Sequence, residues 1–151
     1  MQDLSLHILD VVENSLRASA KLVEVRVVED AKNDVLVLVV KDDGDGMGRR
    51  TLDRAADPFF TTKGDKRVGL GLSLLAQAAR ETGGELRVES GPGAGTEVRV
   101  TFGYSHPDRK PLGDLAATIE ALVLGNPDVD FVYEHERGAE RIRLDTREMT
   151  R

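Results

Sequence analysis

The first stretch of regular patterning runs from Asp3 to Ser19. Leu4, Ile8, Val11, Val12 and Leu16 recur at helical spacing and predict an amphipathic helix over 3–19. His7, Asp10, Asn14 and Arg17 follow the same period on a different face. Val23, Val25 and Val27 then alternate with Glu24, Arg26 and Val28, the pattern of a half-buried strand. The apolar run Val35 to Val40 predicts a central strand buried on both faces. It stops at a polar, glycine-rich turn, Lys41 to Gly48. A short helix is expected over Thr51–Ala56, ended by Asp57-Pro58, and a loop over 61–69. From Leu70 to Arg80 the period is helical again, with Gly83-Gly84 as the stop. Leu86 and Val88 mark a strand, Gly91 to Gly95 a turn, and Val98, Val100 and Phe102 a second strand. Composition shifts between Gly103 and Pro111, where Pro, His and Asp gather. Beyond it the pattern predicts a helix over Leu112–Leu124, a turn at Gly125–Asp128, and strands over Val129–His135 and Arg141–Leu144. Residues 105–151 are too few for a core of their own and are expected to pack on residues 1–104.

The 151 residues suit one domain with a modest extension, and 40% hydrophobic with 32% charged residues is a globular balance. No apolar run reaches membrane length, and Met1-Gln2-Asp3-Leu4 does not open like a signal peptide. Cysteine is absent, which removes disulfides, thiolate metal sites and cysteine nucleophiles and fits a cytoplasmic setting. A net charge of −6 disfavours nucleic acid as a partner. The three histidines, His7, His106 and His135, are too dispersed for a metal site. Each reads as a structural or exposed residue.

The 15 glycines exceed the usual share and cluster at 44–48, 69–71 and 91–95. Glycine-rich turns let backbone N–H groups approach phosphates, which suggests a nucleotide. Gly64 to Gly69 has P-loop spacing but lacks the following Lys and hydroxyl. A dinucleotide turn at Gly44-x-Gly46 would place Asp42, Asp43 and Asp45 against a pyrophosphate. The acidic turn fits a base better: a carboxylate at the end of a strand can accept from adenine's exocyclic amine. Phosphates would then lie near Gly69 and Gly71, at a helix start. Asn14 offers a neutral oxygen for magnesium, and Asp10, one turn earlier, a base or orienting group for water.

These segments resemble the ATPase family of histidine-kinase catalytic domains, DNA gyrase B, heat-shock chaperone ATPases and mismatch-repair ATPases. Asp10 to Ala20 resembles its first box, with Asn14 in the magnesium-binding place. Asp42-Asp43-Gly44-Asp45-Gly46-Met47 resembles the adenine box, Asp42 reading the base and Gly44, Gly46 and Met47 beside it. Asp57 to Lys63 is similar to the phenylalanine-containing box, with Lys63 toward the γ-phosphate. Gly69-Leu70-Gly71 resembles the phosphate-binding glycine box, and Gly93-Ala94-Gly95-Thr96 the last turn, whose threonine supports the adenine site. Three departures stand out. Asp10 occupies the place of a glutamate, Arg67 that of a glycine, and the lid between Lys63 and Gly69 is short.

The resemblance implies a two-layer α/β sandwich with a mixed, mostly antiparallel sheet and helices on one face. It implies ATP and Mg²⁺ as cofactors, and slow hydrolysis or phosphoryl transfer to a separate protein partner. An anti-sigma-factor-like serine kinase and a non-catalytic ATP-gated binding module stand as alternatives. The first box begins within ten residues of Met1, so no phosphoacceptor hairpin is expected ahead of it. Each residue also has a plainer reading. Asp42 and Asp45 could form a turn, Asn14 a solvated helix position, and Lys63 and Arg67 surface cations. Phe59 and Phe60 could be packing, Thr96 a strand residue, and Arg141, Arg143 and Arg147 a solvated face.

Overall fold

The computed structural model describes residues 3–45, 66–91 and 93–148, the side chains of 66–71 excepted. The expected helix over Thr51–Ala56 lies outside them, as do Phe59 and Phe60. Helix α1 (Leu4–Arg17) starts where Asp3 accepts from the Leu6 N–H, and it buries Leu4, Ile8, Val11 and Val12. Strands β1 (Leu22–Asp30) and β2 (Val35–Asp42) follow as an antiparallel pair. Helix α2 spans Lys66–Arg80, and β3 (Leu86–Ser90) pairs antiparallel with β4 (Thr96–Gly103). The last part supplies α3 (Leu115–Gly125), β5 (Asp130–Arg137), β6 (Glu140–Asp145) and a 3₁₀ turn, Thr146–Glu148.

The six strands of the described residues form one sheet in the order β3-β4-β2-β1-β5-β6. Every neighbouring pair is antiparallel except β1 and β5. One core joins α1 and α2 to Val23, Leu38, Val100 and to Leu115, Ile119, Phe131 and Tyr133 of the last part. The fold is therefore α+β, with a mixed, mostly antiparallel sheet.

Three expectations shift. The helix α2 starts at Lys66 rather than Leu70, so residues 66–69 are helical and not loop. Glycines at 69 and 71 lower local propensity by about 1 kcal/mol each. Burial of Leu72, Leu75, Ala76 and Ala79 outweighs that. β2 is buried on one face only: Leu36, Leu38 and Val40 face the core, while Val35, Val37 and Val39 are half-buried. The described helices share one core, so the opposite face is left to charged pairs such as Arg26–Glu136 and Arg141–Glu136. α3 starts at Leu115, capped by Asp114, rather than at Leu112. Gly113 just before it has φ +77°, and the Pro111 and Leu112 carbonyls accept from Leu4 and Ser5. The chain after β4 thus returns alongside the start of α1.

Candidate functional site

Strand register places the polar residues at one end of the sheet. Val23, Asp42, Thr96 and Ser90 are successive partners across β1, β2, β4 and β3. Asp42, Thr96 and Ser90 therefore share the core face with Val40, Val98 and Val88, one pleat period away. Asp42 is 9% exposed. Its Oδ1 accepts from the Gly44 N–H at 2.8 Å, and its Oδ2 accepts from the Ser15 hydroxyl of α1 at 2.6 Å. The Ser90 and Thr96 hydroxyls lie 2.7 Å apart, and Ser90 also donates to the Gly95 carbonyl. A cleft of about 360 Å³ opens at this strand end, lined by Lys41, Glu89 and Glu97 of the outer face as well as by Asp42, Ser90, Gly95 and Thr96.

The turn after Asp42 is clamped on two sides. The Asp45 N–H donates to the Ala18 carbonyl at 2.7 Å, and the Asp45 carbonyl accepts from Gly93 at 2.6 Å. A side chain at Gly44 would meet the Ala18 carbonyl oxygen at 2.7 Å. Gly95, with φ +79°, passes so close to the Asp42 carbonyl that a Cβ would overlap it. Asp43 has a different task. Its Oδ1 accepts from the Leu22 and Lys21 N–H groups, which holds its carboxyl below the usual range and ties β2 to the start of β1. Of the three acids in the turn, Asp42 alone is buried on the helix side.

On α1, Asn14 is half-buried and Asp10 exposed. The Asn14 Oδ1 accepts from Arg17 at 3.4 Å, a long contact at the surface. Ser15, the next residue, links that helix directly to Asp42. The structure thus brings Asp42, Gly44 and Thr96 together, and Asn14 precedes Ser15 on the helix that Asp42 bonds. Gly69, Leu70 and Gly71 lie within α2, which packs on α1. With the helix starting at Lys66, its open N–H groups precede Gly69, and the Gly69 and Gly71 amides sit inside the ladder. Gly46, Met47 and Lys63 lie outside the described residues.

Ser15, which lies in the first box without a role assigned to it, and Ser90, which lies in no box, bond to Asp42 and Thr96. The signal for each was a hydroxyl at a core-facing position, beside Val11 on α1 and after Val88 on β3. His7 is 2% exposed, so it is no surface residue, and neither ring nitrogen has a hydrogen-bond partner among the described residues. Burial, with Lys110 nearby, pushes its pKa down. His135 is not an exposed strand residue either: its Nε2 lies 2.6 Å from Glu29 and its Nδ1 2.9 Å from the Tyr133 hydroxyl.

No cluster of three or more acidic or histidine side chains that could cage a metal occurs among the described residues. A magnesium ion here would take the Asn14 oxygen and complete its shell from phosphate oxygens and water, which fits this donor set.

Residues 2–106 match the family described as histidine kinase-, DNA gyrase B- and HSP90-like ATPase. Sporulation kinase C of Bacillus subtilis is 33% identical over 96 residues, 62% of this chain and 22% of that protein. Histidine protein kinase DivJ of Caulobacter vibrioides is 36% identical over 97 residues, 62% of this chain and 16% of that protein. The chain thus spans less than a quarter of these relatives. The ATPase domain of Aquifex aeolicus MutL, solved with ADP, superposes with a TM-score of 0.55 at 20% identity, over 89% of this chain and 61% of that one. The N-terminal domain of a DNA repair protein gives 0.66 at 18% identity, over 96% and 53%. Those two likenesses concern the fold; the family match covers most of the sequence, and the chain belongs to the histidine kinase-, DNA gyrase B- and HSP90-like ATPases.

Proposed function

We propose that this chain binds Mg²⁺ and ATP at the Asp42 end of the sheet and passes the γ-phosphoryl group to a separate protein, or slowly to water. The observation that carries the reading is Asp42: a buried carboxylate with both oxygens fixed, at a strand end where Gly44 and Gly95 let backbone segments approach closely. Its remaining lone pairs can accept from the C6 amine of adenine. Thr96 and Ser90 supply hydroxyls beside it. Asn14 would hold magnesium, whose charge offsets that developing on the transferred group. Asp10, exposed one turn away, would orient or deprotonate the acceptor.

The histidines favour an acceptor on another protein. His7 is buried. Burial keeps the Tyr133 hydroxyl protonated and able to donate to His135 Nδ1, while His135 Nε2 faces Glu29. His106 Nδ1 accepts from the Asp108 N–H at 3.0 Å, so the neutral ring carries its proton on Nε2. No histidine of the chain presents an open nucleophilic nitrogen.

Titration with ATP, ADP and GTP, with and without Mg²⁺, tests the site. Asp42→Asn is expected to weaken ATP binding by about tenfold or more, because its amide N–H₂ would face a donor. Unchanged affinity would refute the adenine assignment. Asp10→Ala is expected to cut turnover by about a hundredfold while ATP still binds. A second reading, an ATP-gated binding module, is favoured by the short, exposed Asp10. It prevails if the unaltered protein turns over no labelled ATP, with or without partners, yet captures a partner only when nucleotide is bound.

A further inference from the structure

The sheet ends on one side at β6, whose outer edge meets no further strand among the described residues. The chain does not fold back over that edge. Thr146, the next residue, turns toward β5, where its hydroxyl accepts from the Phe131 N–H and donates to Asp130. Glu140, Arg141, Ile142 and Arg143 are all exposed. An edge of this kind presents open backbone donors and acceptors, a template for another strand.

The side chains of β6 are sorted by face. Ile142 and Leu144 stand opposite His135 and Tyr133, on the side that carries the helices. Arg141, Arg143 and Asp145 stand opposite Glu136, Glu134 and Val132, on the other side. Ile142 is 61% exposed, an apolar side chain at an open edge. The strand holds no lysine or proline, and its pairing with β5 runs residue for residue without a bulge, so three common blocks to edge pairing are missing. Its arginines are tied to Glu134, Glu136 and Asp145 of the same chain.

Register decides which strand fits. An antiparallel neighbour that keeps the apolar and charged faces aligned sets residues of equal parity opposite each other. A second β6 centred on Ile142 would set Arg141 against Arg143 twice. Centred on Leu144, it would set Ile142 against Thr146, which already belongs to the 3₁₀ turn. Centred on Arg143, it sets Ile142 against Leu144 and Arg141 against Asp145, each twice. The single like-charge meeting is Arg143 with its own copy at the axis. Each guanidinium there is drawn back toward Glu134, Asp145 and Glu148 of its own chain.

We propose that β6 is a self-association edge, through which two copies of this chain pair antiparallel about a twofold axis at Arg143 and continue the sheet from one molecule into the next. The contact is one strand pair wide, so the dimer is weak and depends on concentration. No residue of β6 lines the cleft at Asp42, and the pairing stands or falls apart from the ATP reading.

The chain has no cysteine, so an introduced one reports the register cleanly. Arg143→Cys sets two thiols opposite each other, with Cβ atoms about 5 Å apart and a disulfide within reach after a small adjustment. Arg141→Cys sets them four positions out of step, about 13 Å along the strands. Under mild oxidation the first variant should cross-link into a covalent dimer and the second should not, each checked for folding by its thermal transition. Sedimentation of the full chain between about 5 and 500 μM should show monomer giving way to dimer. Ile142→Lys should raise the midpoint concentration about tenfold or more. A full chain that stays monomeric over that range overturns the proposal. Equal cross-linking of the two cysteine variants overturns it as well, since that is the mark of random collision. So does a dimer that Ile142→Lys leaves intact, which would put the contact on another surface.

Discussion

His7 shows what a single buried titratable group does to this protein. Its ring is shielded from solvent and unbonded, and its pKa in the folded state lies below the ordinary 6.5. Above about pH 6.5 the ring is neutral folded or unfolded. As pH falls below that value the unfolded chain takes up the proton first, so stability declines until the folded-state pKa is reached. His7→Leu is expected to raise the urea midpoint at pH 7, by about 1–2 kcal/mol in stability, since it removes two unsatisfied buried nitrogens. It should also flatten the fall between pH 7 and 5. A variant as pH-sensitive as the parent would contradict this. The neighbouring positions show how far single residues could be read from sequence. That Asp42, Gly44 and Thr96 share one end of the sheet was legible because a strand end and glycine spacing each constrain them. Ser15 and Ser90 were not, because a hydroxyl on a core face is uninformative until its partner across space is known.

At the scale of elements, the β3–β4 turn is a wall of the site as much as a connection. Gly95→Ala would force a side chain against the Asp42 carbonyl at a positive φ, so it should cost about 2 kcal/mol or more of stability and weaken ATP binding. Thermal melting with a parallel nucleotide titration measures both. The end of β6 is held differently. Asp145, buried, accepts from Arg147 and pairs with Arg143, which lowers its pKa to about 2. That stabilisation is complete above the usual carboxylate value of 3.8 and is lost as pH falls toward about 2. Asp145→Asn should therefore lower the melting temperature at pH 7, with the difference from the parent closing near pH 2–3. Element types along the chain were readable from periodicity, whereas boundaries moved wherever tertiary contacts overrode local preference. Packing of α2 extended that helix back through Gly69 to Lys66, and pairing of Pro111 and Leu112 with α1 delayed the start of α3. The one-sided burial of β2 was beyond the pattern, because an apolar run states what a strand tolerates and not which layers surround it.

For the whole molecule, the final segment completes the sheet. β5 covers the edge of β1, and α3 adds Leu115, Ile119 and Leu122 to the common core. A chain ending at residue 104 would expose that edge together with the apolar surface facing Phe131 and Tyr133. It is expected to self-associate or melt without a sharp transition, by light scattering and circular dichroism; a monomeric, cooperatively melting fragment would refute this. No periodicity in the sequence could announce that β5 lies parallel to β1, since register between distant strands is a property of the folded chain. The same pairing bears on how the protein is made. Glu29 and His135, which meet across it, are 106 positions apart. Contacts of such span close slowly, and on a ribosome they cannot close until β5 has emerged. The antiparallel β1–β2 pair and its neighbour β4 can assemble earlier, so the nascent chain carries an unpaired β1 edge until β5 emerges. Substitutions in β5 that leave the finished fold stable should therefore still lower its yield, by lengthening the time that edge is open to other chains.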